Sequence, residues 1–302
     1  MNAFDVALGF TIPERHARGR LVRIGPALED VLNNHDYPPP VARVLTEALL
    51  LAALLGSLLK GEGGQLTLQA QQGTGAIDLL VADYKDGELR GYVRHDPDKL
   101  AELPAEPSLF ALFGTAYLAV TFDQAVTGER YQGIVPLEGG SLADAVEYYF
   151  AQSEQVPSVV RMAMDSDAHG RPIAAGLLLQ HLPEGEEGRE RLHVRQDQPE
   201  WLHVQALAQT VKPEELVDPS LGLDALLWRL FGAEDEVRVS DPVHLSRGCR
   251  CDPDHIRGVL ARFPAEERAA MADESGVIGV DCAFCARSFP VPVDSLQPAV
   301  LH

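Results

Sequence analysis

Two hydrophobic periods run along this chain, and their alternation marks its elements. Residues 4–11 and 16–23 alternate as short strands and end at Gly25-Pro26. A short helical pattern follows over 27–34. Pro39 or Pro40 then opens a long helix, expected to run to about Lys60 with Gly61 as its stop. Its inner half is apolar on nearly every side, at Leu49, Leu50, Leu51, Leu54, Leu55, Leu58 and Leu59, which marks a core helix. Leu66, Leu68 and Ala70 alternate with Thr67, Gln69 and Gln71, the period of a half-buried strand. Strands over 76–84 and 88–95 flank Lys85-Asp86-Gly87, and Asp-Gly is a hairpin signal. Another pair spans 114–122 and 130–137. Ser141 starts a helix with Asp144 at the capping-box spacing, and Ala145, Val146, Tyr149 and Phe150 face inward. Strands over 158–164 and 173–182, joined by a turn at 167–171, follow it. Antiparallel strands with helices grouped beside them predict an α+β fold.

The pattern then changes. Residues 184–195, EGEEGRERLHVR, are charged and glycine-containing, which marks a boundary. Beyond it, Trp201, Leu202, Val204, Leu207 and Val211 lie on one short helical pattern. Leu221, Leu223, Leu226, Leu227, Leu230 and Phe231 lie on a second, with Pro213 and Pro219 between. Helices this short are marginal unless docked on something. The expected organisation is an N-terminal antiparallel sheet domain over 1–183, a helical linker over 184–240 and a small C-terminal module over 241–302.

All four cysteines of the chain fall in that module: Cys249 and Cys251 as C-x-C, Cys282 and Cys285 as C-x-x-C, thirty residues apart. Two close thiol pairs across a short span are how a tetrahedral Cys₄ zinc site is built, so all four are candidate Zn²⁺ ligands, one ion per chain. His244 and His255 flank them, but four thiolates already complete a tetrahedron. The module has few large apolar side chains, among them Leu245, Ile256, Val259, Leu260, Phe263, Met271 and Ile278. A core that small is marginal without a staple. Thiolates are also what oxidants attack, and each sulfur here has a resolving partner within reach. Spacing alone leaves a static zinc ribbon and a redox switch both open.

Charge narrows the partners. With 45 acidic and 25 basic residues the formal charge is −20, and 241–302 holds six Arg, no Lys and nine acidic residues. Nucleic-acid binding needs clustered Lys and Arg, so no nucleic-acid partner is expected. No membrane partner is expected either, because the near-apolar run over 48–59 is too short to span a bilayer. Residues 1–13 carry Asp5 and no long apolar run, so no secretory signal is expected. Metal-like cysteine pairs fit a reducing compartment, and a cytoplasmic protein is expected. Gly63-Gly64 and Gly73-Thr74-Gly75 lack the Gly-Lys-Ser/Thr end of a phosphate loop and read as turn glycines. Gln152-Ser153-Glu154-Gln155 reads as a polar helix end rather than a catalytic group.

The chain resembles the heat shock protein 33 family, the redox-regulated holdase chaperones, along its whole length. The residues that carry the resemblance are Gly248-Cys249-Arg250-Cys251 and Asp281-Cys282-Ala283-Phe284-Cys285. With them go Asn34-His35-Asp36-Tyr37-Pro38, the run 149–157 (YFAQSEQVP), the run 175–180 (AGLLLQ) and Glu234-Asp235-Glu236-Val237. The resemblance implies an ATP-independent holdase and no enzyme. It implies a protein that is inactive when reduced and zinc-bound, and activated by disulfides Cys249–Cys251 and Cys282–Cys285 with zinc release. It further implies a linker that rests on the N-terminal domain until oxidation, unfolding proteins as clients, a role in stress response and a homodimer. The rival classes are a zinc ribbon acting with a nucleic-acid or transcription partner and a thiol–disulfide enzyme.

Overall fold

The computed structural model describes residues 3–71, 73–182 and 198–296. The charged boundary at 184–195 lies outside them. The elements are β1 (Val6–Ile12), β2 (Ala17–Ile24), α1 (Pro26–Leu32), α2 (Pro39–Gly56), β3 (Gln65–Gln71), β4 (Ile77–Lys85), β5 (Glu88–His95), α3 (Pro97–Ala101) and α4 (Leu109–Phe113). Then come β6 (Tyr117–Gln124), β7 (Glu129–Pro136), α5 (Leu142–Tyr149), β8 (Ser158–Ser166), β9 (Pro172–His181), α6 (Pro199–Gln209), α7 (Pro213–Val217) and α8 (Leu223–Phe231). Last among the described residues come β10 (Arg238–Val239), β11 (Val243–His244), β12 (Ser246–Arg247), α9 (Pro253–Leu260), α10 (Ala265–Met271), β13 (Val277–Asp281) and β14 (Ser288–Pro292). They form two compact units, Met1–Arg247 and Gly248–His302.

The first unit is α+β. One sheet runs β10-β1-β2-β9-β8 with β11 also on β1, and the other runs β12-β5-β4-β3-β6-β7. All pairs are antiparallel except β12 with β5. The core helix α2 lies between the sheets: Leu49, Leu50 and Leu54 join one buried cluster with Val22, Ile24 and Leu178 of the first sheet and Leu66, Leu80 and Val120 of the second. Length and apolarity alone would let α2 cross a bilayer, but its burial between the sheets makes it a core helix.

Local chemistry explains where the elements stop. Asp86 and Gly87 both have positive φ, 50° and 86°, so the Asp-Gly turn supplies the hairpin between β4 and β5. The Ser141–Asp144 capping box forms as the spacing predicted. The long helix, however, ends at Gly56 rather than near Lys60. Arg20 of β2 donates to the Ser57 carbonyl at 3.0 Å, and the Ser57 hydroxyl turns back to the Leu54 carbonyl at 3.1 Å. These bonds satisfy the helix end early, and Gly61 sits in a later turn at φ 77°. The short helices α3, α4 and α7 had no periodic signal, since five residues do not complete two turns.

The first sheet is buried on both faces. Along β9, Ala174 and Leu178 face α2, while Ile173, Ala175, Leu177 and Leu179 face outward. Helices α6, α7 and α8 cover that outer face. Trp201, Val204, Leu216, Leu226, Leu230 and Phe231 join one buried cluster with Phe10, Ile12, Leu21, Leu177 and Leu179. This is the docking that the short amphipathic patterns required.

Candidate metal centre

The second unit places the four thiols at one end of a hairpin. β13 and β14 pair antiparallel from Val277↔Pro292 to Asp281↔Ser288. Cys282 and Cys285 lie in the connecting turn, closed by Cys282 N–H to the Arg287 carbonyl (2.9 Å) and Ala286 N–H to the Cys282 carbonyl (2.8 Å). Cys249 and Cys251 lie in the irregular strand just before α9, whose start is capped by Asp252 accepting from Asp254 N–H.

Cys249 Sγ is 3.0 Å from Cys251 Sγ and 3.6 Å from Cys282 Sγ, and Cys251 Sγ is 3.5 Å from Cys285 Sγ. All four sulfurs fall within 4.8 Å of one another. A tetrahedron with Zn–S bonds of ~2.3 Å has edges of about 3.8 Å, so the thiols are grouped at the scale of a single ion. Soft sulfur donors are the set that zinc and similar ions prefer. Burial pushes the Cys249 and Cys251 thiols up. Burial also opposes ionisation of Cys282, but bonds from the Cys251 thiol and the Cys285 and Phe284 N–H groups outweigh it and bring Cys282 to about 7. Like charges at these separations resist a full set of thiolates, and a dication at the centre would remove that obstacle. The cluster can hold a metal ion.

The histidines beside the motif stay outside the group. His255 is exposed on α9, and His244 is exposed on β11, in register with Val6 of β1 in the first unit. Val259, Phe263 and Met271, counted from the sequence toward the module's core, are 37–43% exposed. Leu260, Ile278, Val291 and Leu296 make up its buried cluster.

Two further groups, neither given a role from the sequence although Glu234 lies in one of the resembling runs, tie the α6–α8 layer to the sheet. The Glu234 carboxylate accepts from Arg15 Nε, between β1 and β2, at 2.7 Å, and lies 2.7 Å from His203 Nε2 of α6. Arg23 of β2 is 0% exposed, and its guanidinium donates to the carbonyls of Leu216 (2.8 Å), Leu221 (3.0 Å) and Glu215 (3.5 Å). The available signal was an arginine sharing the outward face of β2 with Leu21.

A two-sheet α+β domain under a helical layer, followed by a small four-thiol unit, defines a two-part protein with a metal-type centre. A family model described as Hsp33 protein matches residues 5–291. The 33 kDa chaperonin of Caulobacter vibrioides (strain NA1000 / CB15N) is 44% identical over 292 residues, covering 94% of each chain. The 33 kDa chaperonin of Escherichia coli (strain K12 / DH10B) is 36% identical over 273 residues, covering 90% of this chain and 87% of its own. A crystal structure of the 33 kDa chaperonin (heat shock protein 33 homolog) from Thermotoga maritima matches with a TM-score of 0.77 over 97% of this chain and 96% of that one. Its 24% identity speaks for the fold alone. The chain belongs to the Hsp33 family, and that membership supports a chaperone function.

Proposed function

We propose that this chain is a redox-regulated, ATP-independent holdase: closed when its thiols hold zinc, opened by oxidation, and then able to bind unfolding proteins. The observation that carries this reading is the grouping of four thiols in a unit whose buried apolar cluster, among the described residues, is four side chains. Cys249, Cys251, Cys282 and Cys285 would hold the ion. Bound zinc would supply a four-bond cross-link between the start of the unit and the tip of its hairpin, coupled to folding.

The thiols supply the switch. A thiolate attacks a peroxide oxygen, forming a sulfenic acid and releasing hydroxide. A neighbouring thiolate then attacks that sulfur, forming the disulfide and releasing a second hydroxide. Two thiolates and one peroxide thus give one disulfide and two hydroxides. The pairing we propose is Cys249 with Cys251 and Cys282 with Cys285. Sulfurs bonded to each other no longer ligate, and a four-residue core does not hold the unit folded alone.

Release of α6–α8 is the step that makes surface for clients. It would bare Phe10, Ile12, Leu21, Leu177 and Leu179 on the sheet and Trp201, Leu226 and Phe231 on the helices. The active protein is read as a cytoplasmic homodimer that takes no part in nucleic-acid or membrane binding. A light-scattering assay tests the reading. A denatured test protein should aggregate freely beside the reduced, zinc-loaded chain and stay dispersed beside the peroxide-oxidised one. Equal aggregation in both arms would overturn it.

A further inference from the structure

Arg23 is a charged side chain enclosed on the outward face of the first sheet, where most of its neighbours are apolar. Its register partners are Val6 on β1 and Ala175 on β9, and Leu21 precedes it on the same face. Above it lies α7. A helix of five residues leaves its last carbonyls without partners inside the helix. Arg23 takes two of these, on Glu215 and Leu216, together with the Leu221 carbonyl just before α8. We propose that Arg23 is the positioning residue that seats the α7–α8 segment on the sheet and sets how readily that segment is released. The consequence for activity rests on the reading above, in which release opens the protein.

Two features of the contact support this role. The first is geometry. One rigid plane of donors meets carbonyls six residues apart in sequence, so a shift of the segment by one residue breaks the whole set. Lysine, a compact charge on a flexible stem, lacks that planar fork and cannot reproduce it. The second is charge. Among the described residues its hydrogen-bond acceptors are backbone carbonyls, and Asp218 attracts it only through space. Docking therefore strips water from a cation that no carboxylate pairs with, and release returns that water. The hydrogen bonds select one docked register, and the water lost from the cation offsets part, but not all, of what they contribute. A segment that must leave on demand needs both properties. A purely apolar contact would supply adhesion without register, and would leave the carbonyls unmet.

The test uses the full-length, reduced, zinc-loaded protein and hydrogen exchange. In Arg23→Met, exchange across 213–231 should be about tenfold faster or more, while β1, β2 and β9 keep their protection. Arg23→Lys should fall between Met and the parent, and it carries the same test should Arg23→Met fail to fold. Protection across 213–231 equal to the parent's overturns the proposal. So does an equal loss of protection throughout the sheet, which would make Arg23 a general support of the fold. Light scattering on the same reduced variants separates this proposal from the functional reading. Released segment without client holding keeps the role of Arg23 and sinks activation by release. Client holding by the oxidised parent, beside a variant whose segment stays protected, keeps the reading and sinks the role of Arg23.

Discussion

The two units of this chain solve the problem of a stable core in opposite ways. In the first, forty-three buried side chains form one cluster around α2, enough apolar surface to need no cross-link. In the second, four buried apolar side chains among the described residues stand beside four thiols, and in the proposed reading the thiols supply the cross-link that so small a core needs. Between these extremes lies the α6–α8 layer. It has a real apolar contact with the first sheet, but also a buried cation and a buried carboxylate at its seams. Burial falls from the first cluster to the third, and the less buried parts are the ones the proposed switch would use.

Removing the proposed zinc ion should produce the largest break in this comparison. Chelation from the reduced protein should cost the second unit roughly 10–16 kcal/mol of coupled binding energy. Hydrogen exchange should then be fast over 249–296 while α2 and both sheets remain protected. Continued protection of β13 and β14 without metal would mean that the small core suffices. X-ray absorption of the loaded protein should show four sulfurs, and a nitrogen shell would bring His255 back as a ligand.

Cys282→Ser should follow in size. Loss of one ligand should lower zinc affinity by more than about 100-fold, the upper range for losing only a ligand's supporting partner. Without oxidant the variant should be partly unfolded in its second unit and should hold clients weakly. A zinc-loaded, inactive Cys282→Ser would contradict the shared-metal arrangement.

Core truncations sharpen the contrast within the first unit. Phe231→Ala, at the ring packed 5.5 Å from Phe10, should cost about 3–5 kcal/mol. Leu50→Ala on α2 should cost about 2–5 kcal/mol. The difference should lie in where the loss appears. Phe231→Ala should speed exchange mainly in α6–α8, whereas Leu50→Ala should lower protection in both sheets together. Identical exchange maps would mean that the helical layer is an inseparable part of the sheet domain.

Glu234 gives the smallest effect. Burial raises its proton affinity, but bonds from Arg15 and His203 outweigh that and hold the carboxyl below its ordinary 4.5. A depressed carboxyl contributes stability that is complete above the ordinary value and lost as pH falls through the lowered one. Exchange in α6 should therefore rise in acid below about pH 4.5, and Glu234→Gln should remove that dependence at a cost of about 1–3 kcal/mol. An unchanged pH profile in Glu234→Gln would show that this carboxylate does not anchor the layer.

Much of this protein was decided locally, by interactions within a few residues of chain. Alternation over 65–71, the positive φ of Asp86-Gly87 and the Ser141–Asp144 box act at short range, so the amino-acid order alone makes them legible. The paired cysteines are legible for the same reason, since ligand spacing is a local property. What only the tertiary structure decided were meetings across the sequence. Arg20 ends α2 by reaching Ser57, thirty-seven residues away. Arg23 meets carbonyls near residue 216, and Glu234 gathers Arg15 and His203. Val259, Phe263 and Met271 carry core-type side chains yet lie on the surface of a unit too small to enclose them. Periodicity says which side of an element is apolar, but only packing says what stands opposite it, and the buried charges and early helix ends follow from what stands opposite.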